Sequence, residues 1–161
     1  MPGREGKIHR EIILAYSAVS LIFLLDQISK QIIVTLFQQG RSIPVIKNIF
    51  HLTLVYNTGA AFGILKAHSW LFVVISFLAI IVINYFLLMK YDILRLREKT
   101  ALCFILAGTL GNLVDRLRLG YVVDFIDFRV WPVFNLADSF ITVGVVILGW
   151  SILMGIRRSS A

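Results

Sequence analysis

Long apolar runs alternate with short polar connections along the chain, and four of the runs are long enough, or nearly so, to cross a membrane. At ~1.5 Å of rise per helical residue, a hydrocarbon layer of ~30 Å takes about 20 residues. The stretches Ile12 to about Phe37, Trp70 to Met89, Ala101 to about Leu119 and Ser139 to Ile156 are therefore predicted as transmembrane helices. The second and fourth carry no charged residue. The first is apolar from Ile12 to Leu25 and then carries Asp26 and Lys30, while the third ends in Asp115 and Arg116. Ionisable side chains at such positions are costly and mark functional sites, which singles out helices one and three.

The connections differ in character. Residues 38 to 69 are too long for a turn and too apolar for a solvated loop. Within them Leu52-Thr53-Leu54-Val55-Tyr56 is β-prone, and Asn57-Thr58-Gly59 is turn chemistry. With Ile43, Val45, Ile46, Ile49 and Phe50 clustered about Pro44, a small strand or hairpin resting on the outer membrane surface is expected. Gly59, Ala60, Ala61 and Gly63 form a run of small residues that permits close backbone approach. Residues Tyr121 to Phe128 alternate imperfectly and suit a short strand, which Trp131-Pro132 ends at the membrane interface.

Composition agrees with the pattern: 58% of residues are hydrophobic and 16% charged, far from an ordinary water-soluble domain. Lys and Arg near the segment ends set the orientation. With both termini and the loop from Lys90 to Thr100 on the cytoplasmic side, that side holds Arg4, Lys7, Arg10, Lys90, Arg95, Arg97, Lys99, Arg157 and Arg158. The other side holds Arg41, Lys47, Lys66, Arg116, Arg118 and Arg129 over a greater length. The net charge of +7 then reads as a topology signal and an attraction to anionic membrane lipids, with no nucleic acid implied. A cleavable leader is the alternative for the N-terminus, against which stand the absent small-residue cleavage site and the helical continuation through Lys30. With no internal repeat or long linker, residues 1–161 are read as one membrane domain. Cys103 lies alone in the third helix as a small apolar residue.

Orientation turns depth into an argument. Asp26 and Asp115 lie roughly 21 Å up their helices at ~1.5 Å per residue, and Asp138 opens the returning fourth helix at that same outer edge. Asp124 and Asp127 belong to the connection just before it. A Ser/His/Asp arrangement finds no nucleophile elbow near His51 or His68, and a Ser139/Lys30 dyad is only geometrically open. Zinc lacks a His or Cys cluster. Two carboxyls sharing one proton could activate water and protonate a carbonyl oxygen. Each has a bland alternative: Asp138 as a first-turn acid behind an Asn135 N-cap, Asp124 as a loop acid paired with Arg129 or Arg118. Asp26 with Lys30, and Asn112 with Arg116, stand one helical turn apart, and they read as structural pairs that organise the site. A small ion-coupled transporter is the competing function, although charges gathered at one edge fit it poorly.

Five ordered segments carry a resemblance. Asp26-Gln27-Ile28-Ser29-Lys30, Tyr56 to Gly63, Gly108 to Arg116, Val123-Asp124-Phe125-Ile126 and Phe134 to Ser139 resemble the motifs of the bacterial lipoprotein signal peptidases, signal peptidase II. The resemblance implies an all-α membrane protein, a four-transmembrane-helix bundle with a small extracytoplasmic β-cradle. It further implies an aspartic endopeptidase of the bacterial cytoplasmic membrane that cleaves diacylglyceryl-modified prolipoproteins just before the lipidated cysteine. The active site would face the extracytoplasmic side, and globomycin-type cyclic peptides would inhibit it. Carried over by position, Asp124 and Asp138 are the catalytic pair, and Asp26, Lys30, Asn57, Gly108, Asn112, Asp115, Arg116 and Asn135 support the site or bind substrate. No metal or other cofactor is implied. Asp127 is an additional carboxylate with no assigned role.

Overall fold

The computed structural model of the chain describes residues 2–59 and 69–159. Four helices, α1 (Pro2–Leu36), α2 (Ser69–Met89), α3 (Leu96–Leu119) and α4 (Leu136–Ser159), are joined by strands β1 (Ser42–Ile46), β2 (Phe50–Asn57) and β3 (Val122–Asp127). Each helix is long and apolar enough to cross a membrane. The helices overrun the apolar stretches that announce them: α1 starts at Pro2 instead of Ile12, α3 at Leu96 instead of Ala101 and α4 at Leu136 instead of Ser139. A helix ends where its backbone loses partners, not where its side chains turn polar, so Lys7, His9 and Arg10 continue α1 as an exposed extension.

α3 is the hub. Of its most apolar stretch 61% is buried within the protein, against 17%, 11% and 17% for α1, α2 and α4. Leu102, Cys103, Leu106 and Ala107 of α3 pack with Val19 and Ile22 of α1 and Ile83 and Leu87 of α2. The outward side chains, among them Ile81, Val82, Val145 and Val146, are large and apolar, a surface that water would penalise and lipid accepts. Glycine brings α3 and α4 together: a Cβ on Gly108 would collide with the Ala137 carbonyl, and one on Gly144 would come within 2.8 Å of the Ala101 carbonyl. α3 stops where Gly120 enters the left-handed region (φ 80°) and its N–H caps the Arg116 carbonyl at 3.1 Å.

The expected β element is an antiparallel sheet of order β1-β2-β3. The apolar segment of residues 43–50 supplies the β1–β2 turn, with Asn48 left-handed (φ 62°), and residues 122–127 supply the third strand. Pro44 lies on β1, an edge strand, where its missing N–H costs no ladder bond. A register shift between Leu52 and Val55 accompanies the burial of Leu54 with Val123 and Phe125 against Ile33 of α1. That second apolar cluster seats the sheet on the end of α1. Of the small-residue run, only Gly59 lies within the described residues; Ala60, Ala61 and Gly63, like Lys66 and His68, lie outside them.

Candidate active site

Three helix ends meet the sheet at strand β3. The C-terminal halves of α1 and α3 rise to it, β3 crosses above, and α4 starts there, so residues far apart in sequence meet at one level. Asp124, at the centre of β3, is 1% exposed. This removes the reading of Asp124 as an exposed loop acid, and Arg129, one of the two partners suggested for it, pairs instead with Asp127 at 3.5 Å. Asp124 Oδ1 accepts from Asn135 Nδ2 at 2.7 Å and Oδ2 from Asn57 Nδ2 at 2.9 Å. Asn57 is itself fixed, its Oδ1 accepting the Gly59 N–H at 3.0 Å.

Asp138 does what its helical position suggests and more. Asn135 Oδ1 accepts the Asp138 N–H at 2.9 Å, and Asp138 Oδ2 accepts the Asn135 N–H at 3.3 Å. This reciprocal pair closes the first turn of α4 as a capping box does. The remaining oxygen, Oδ1, takes a hydrogen bond from Asn112 Nδ2 at 2.8 Å. The structural role and the site role thus coexist in one carboxyl group. Ser139 is spent on the Asn135 carbonyl at 3.0 Å, so a Ser139/Lys30 dyad is absent.

Behind the two carboxyls lies a buried ion cluster. Lys30 Nζ reaches Asp26 Oδ2 at 2.8 Å, Asp115 Oδ2 at 2.9 Å and Asn112 Oδ1 at 3.1 Å, which uses all three of its donors. Asp26 and Lys30 form the expected pair along α1, while the link from Lys30 to Asp115 on α3 crosses between helices. Asp26 Oδ1 accepts the Ala137 N–H of α4 at 2.9 Å, and Asp115 Oδ2 accepts the Val123 N–H of β3 at 3.2 Å. Each carboxylate therefore ties α1 or α3 to the element that carries a member of the pair. Asn112 joins the two halves: its Oδ1 accepts from Lys30 and from Asn135 Nδ2 at 3.0 Å, while its amide group holds Asp138.

Asp124 and Asp138 line one cavity of about 270 Å³ together with Asn57, Asn112, Arg116 and Phe72. The Arg116 guanidinium lies 5.0 Å from the Phe72 ring centre and bonds the Asn112 carbonyl only weakly, at 3.5 Å, so it faces the cavity with donors to spare. Burial, and then the neighbouring Asp138 charge, push the Asp124 carboxyl up to about 7, against the downward pull of the Asn57 and Asn135 hydrogen bonds and of Lys30. Asp127 does not reach the cavity. Its oxygens hold the Thr53 hydroxyl at 2.7 Å and the Arg129 N–H at 2.9 Å; burial opposes its ionisation, but these bonds and the Arg129 and His51 charges keep it below the ordinary carboxylate range. It is a fastening of the sheet.

The residues proposed from the sequence meet in the structure, and Gln27 joins them. Gly108 is not among the residues lining the cavity and lets α4 approach α3. Gly111 does the same for Asp26, whose Oδ2 would lie 2.5 Å from a Cβ built there. Gln27, read only as part of a motif, places Nε2 at 3.1 Å from both Asp26 Oδ2 and Asp115 Oδ1. Its position next to Asp26 on α1 was the available signal.

Four membrane-crossing helices and a cavity lined by the Asp124 and Asp138 carboxyls and the Asn57 and Asn112 amides define a polytopic membrane enzyme. Residues 18–154 match the family model described as signal peptidase (SPase) II. The lipoprotein signal peptidase of Moorella thermoacetica is 51% identical over 83% of this chain and 89% of its own length, and that of Halothermothrix orenii 47% over 84% and 92%. A solved bacterial membrane enzyme superposes with a TM-score of 0.83 at 33% identity over 90% of both chains. A second gives 0.78 at 34% identity over 87% of this chain and 92% of its own. The chain belongs to the signal peptidase II family and is a multi-span bacterial membrane protease.

Proposed function

We propose that the protein is an aspartic endopeptidase that removes the signal peptide of diacylglyceryl-modified prolipoproteins just before the lipidated cysteine, with Asp124 and Asp138 as the catalytic pair. The observation that carries this is the arrival of two carboxyls, the buried Asp124 from β3 and the half-buried Asp138 from the first turn of α4, in one cavity, coupled through Asn112 and Asn135. Nearby carboxyls of this kind share a proton, because ionising the second against the first is costly. A carboxyl held up near 7 is still protonated in about half of the molecules at neutral pH and suits the acid role. Asp124 gives its proton to the scissile carbonyl oxygen while Asp138 takes one from the attacking water. Collapse of the tetrahedral adduct returns a hydroxyl proton to Asp124 and breaks the C–N bond as Asp138 passes the proton it took from water to the departing amine.

Position in the bilayer supports the substrate class. The cavity lies at the end of the bundle opposite the start of α1, the end of α4 and the α2–α3 turn, and the Lys and Arg bias supports the reading that this end faces the extracytoplasmic side of the cytoplasmic membrane. There a signal peptide helix ends, and the acyl chains of a lipid-modified cysteine can remain in the outer leaflet. Phe72 and Phe134 offer apolar walls, and Asn57 and Arg116 offer donors for peptide carbonyls or a cyclic peptide inhibitor such as globomycin. The test is purified protein with a lipid-modified precursor. Asp124→Asn and Asp138→Asn are each expected to lose processing by at least about a thousandfold while inserting normally, and substantial cleavage by either variant removes that residue from the mechanism. Asp127→Asn is expected to keep most of the activity.

A further inference from the structure

We propose that Gln27 is a positioning residue of this active site: its side-chain amide is the neutral donor that lets one ammonium, Lys30, hold two buried carboxylates and keep Asn112 turned toward Asp138. The inference rests on the catalytic reading of Asp124 and Asp138. It begins with a charge count. Asp26, Asp115 and Lys30 are 0%, 4% and 3% exposed, so two negative charges face one positive charge where water cannot compensate. Lys30 has no fourth donor to give. Gln27 supplies what is missing, since Nε2 lies 3.1 Å from Asp26 Oδ2, 3.1 Å from Asp115 Oδ1 and 3.3 Å from the Gly111 carbonyl. It bridges Asp26 of α1 and Asp115 of α3 a second time, beside the bridge that Lys30 makes.

Location adds a second argument. Gln27, Lys30 and Asp115 also line a polar recess of about 110 Å³ bounded by Gln31, Arg118 and Tyr121. That recess shares no residue with the catalytic cavity. The ion cluster is therefore approached by polar space from behind, and the Gln27 amide occupies that side. Without it, Asp115 Oδ1 turns to water in the recess and draws Lys30 with it, away from Asn112 Oδ1. Asn112 Oδ1 then keeps only Asn135 Nδ2, at 3.0 Å, of the two donors that fix which of its ends faces Asp138. A neutral amide is required, because a carboxylate in its place would be a third negative charge beside Lys30, whereas a protonated carboxyl still offers one donor.

The experiment follows from that distinction. Gln27→Leu and Gln27→Glu are purified in detergent and assayed on a lipid-modified precursor across pH, with rates expressed per folded enzyme from thermal unfolding. Gln27→Leu is expected to lose about 10- to 100-fold in kcat with KM within about twofold. Gln27→Glu is expected to approach the parent enzyme as pH falls and its carboxyl, raised by burial and by the neighbouring Asp26 and Asp115 charges, takes up a proton, and to fall away from it as pH rises. A Gln27→Leu enzyme with parental kcat, or a Gln27→Glu profile that superposes on the parent, overturns the proposal. Should Gln27→Leu fail to fold, the Gln27→Glu profile alone decides. Asp124→Asn and Asp138→Asn, run beside them, separate a failure of the catalytic pair from a failure of Gln27.

Discussion

Asp124→Asn makes a demand on stability as well as on activity, and the two have opposite signs. The Asp124 carboxyl rises from 3.8 to about 7 on folding, and a tenfold change in proton affinity is worth about 1.4 kcal/mol. A carboxyl raised on folding contributes stability that is complete below the unfolded value and is lost as pH climbs through the folded one. The parent protein should therefore lose about 4 kcal/mol through this group between about pH 4 and about pH 8. The asparagine variant has no proton to lose. It does turn an NH2 toward Asn57 or Asn135, both of which donate to the carboxyl, at a cost of about 1–2 kcal/mol. The variant should be the less stable protein near pH 4 and the more stable near pH 8, by about 2–3 kcal/mol. Thermal unfolding of both proteins in the same detergent across that range gives the difference directly, since every other titrating group is common to the two. A difference that stays flat with pH would refute the claim that burial and Asp138 hold this carboxyl protonated.

Further expectations come from the same geometry. Precursor cleavage should decline as pH rises through about 7, because Asp124 then surrenders the proton it donates; a profile still level well above that point would assign the acid role elsewhere. Lys30→Met strands Asp26 and Asp115 without a cation and should destabilise the bundle by about 3–5 kcal/mol, visible as lost membrane accumulation, and normal yield would contradict the cluster. Gly108→Ala drives a methyl into the Ala137 carbonyl and should cost about 1–3 kcal/mol by overpacking, with activity falling as the α4 start is displaced; an unchanged melting temperature would show that the helices separate freely.

The spans were legible because lipid imposes a simple rule on side chains, and the candidate site was legible because carboxylates break that rule. What stayed hidden was set by backbone contacts between distant segments. Nothing about Asp115 alone indicates that its cation lies on α1, or that it also accepts the Val123 N–H. The third strand read only as an option, since Val122–Asp127 alternates poorly. It is buried on both faces, by the cavity on one side and by Leu54 and Ile33 on the other, and a strand buried on both faces lacks the alternation that betrays a half-buried one. Asp124 and Asp127, three residues apart, could not be told apart by composition. Their partners distinguish them: two asparagines and a second carboxyl for one, an arginine and a threonine for the other.

The wiring of Lys30 also constrains how the chain is assembled in the membrane. α1 enters with Asp26 and Lys30 already neutralising each other one turn apart, a state tolerable to a lone helix. Asp115 arrives later, on α3, with its cation on a segment synthesised long before. The opening hairpin therefore has no complete polar interior of its own and must wait, at the translocation machinery or in loose association, until the third segment delivers its missing anion. Biogenesis of this protease is thus expected to be late and concerted, with no half-molecule able to fold by itself.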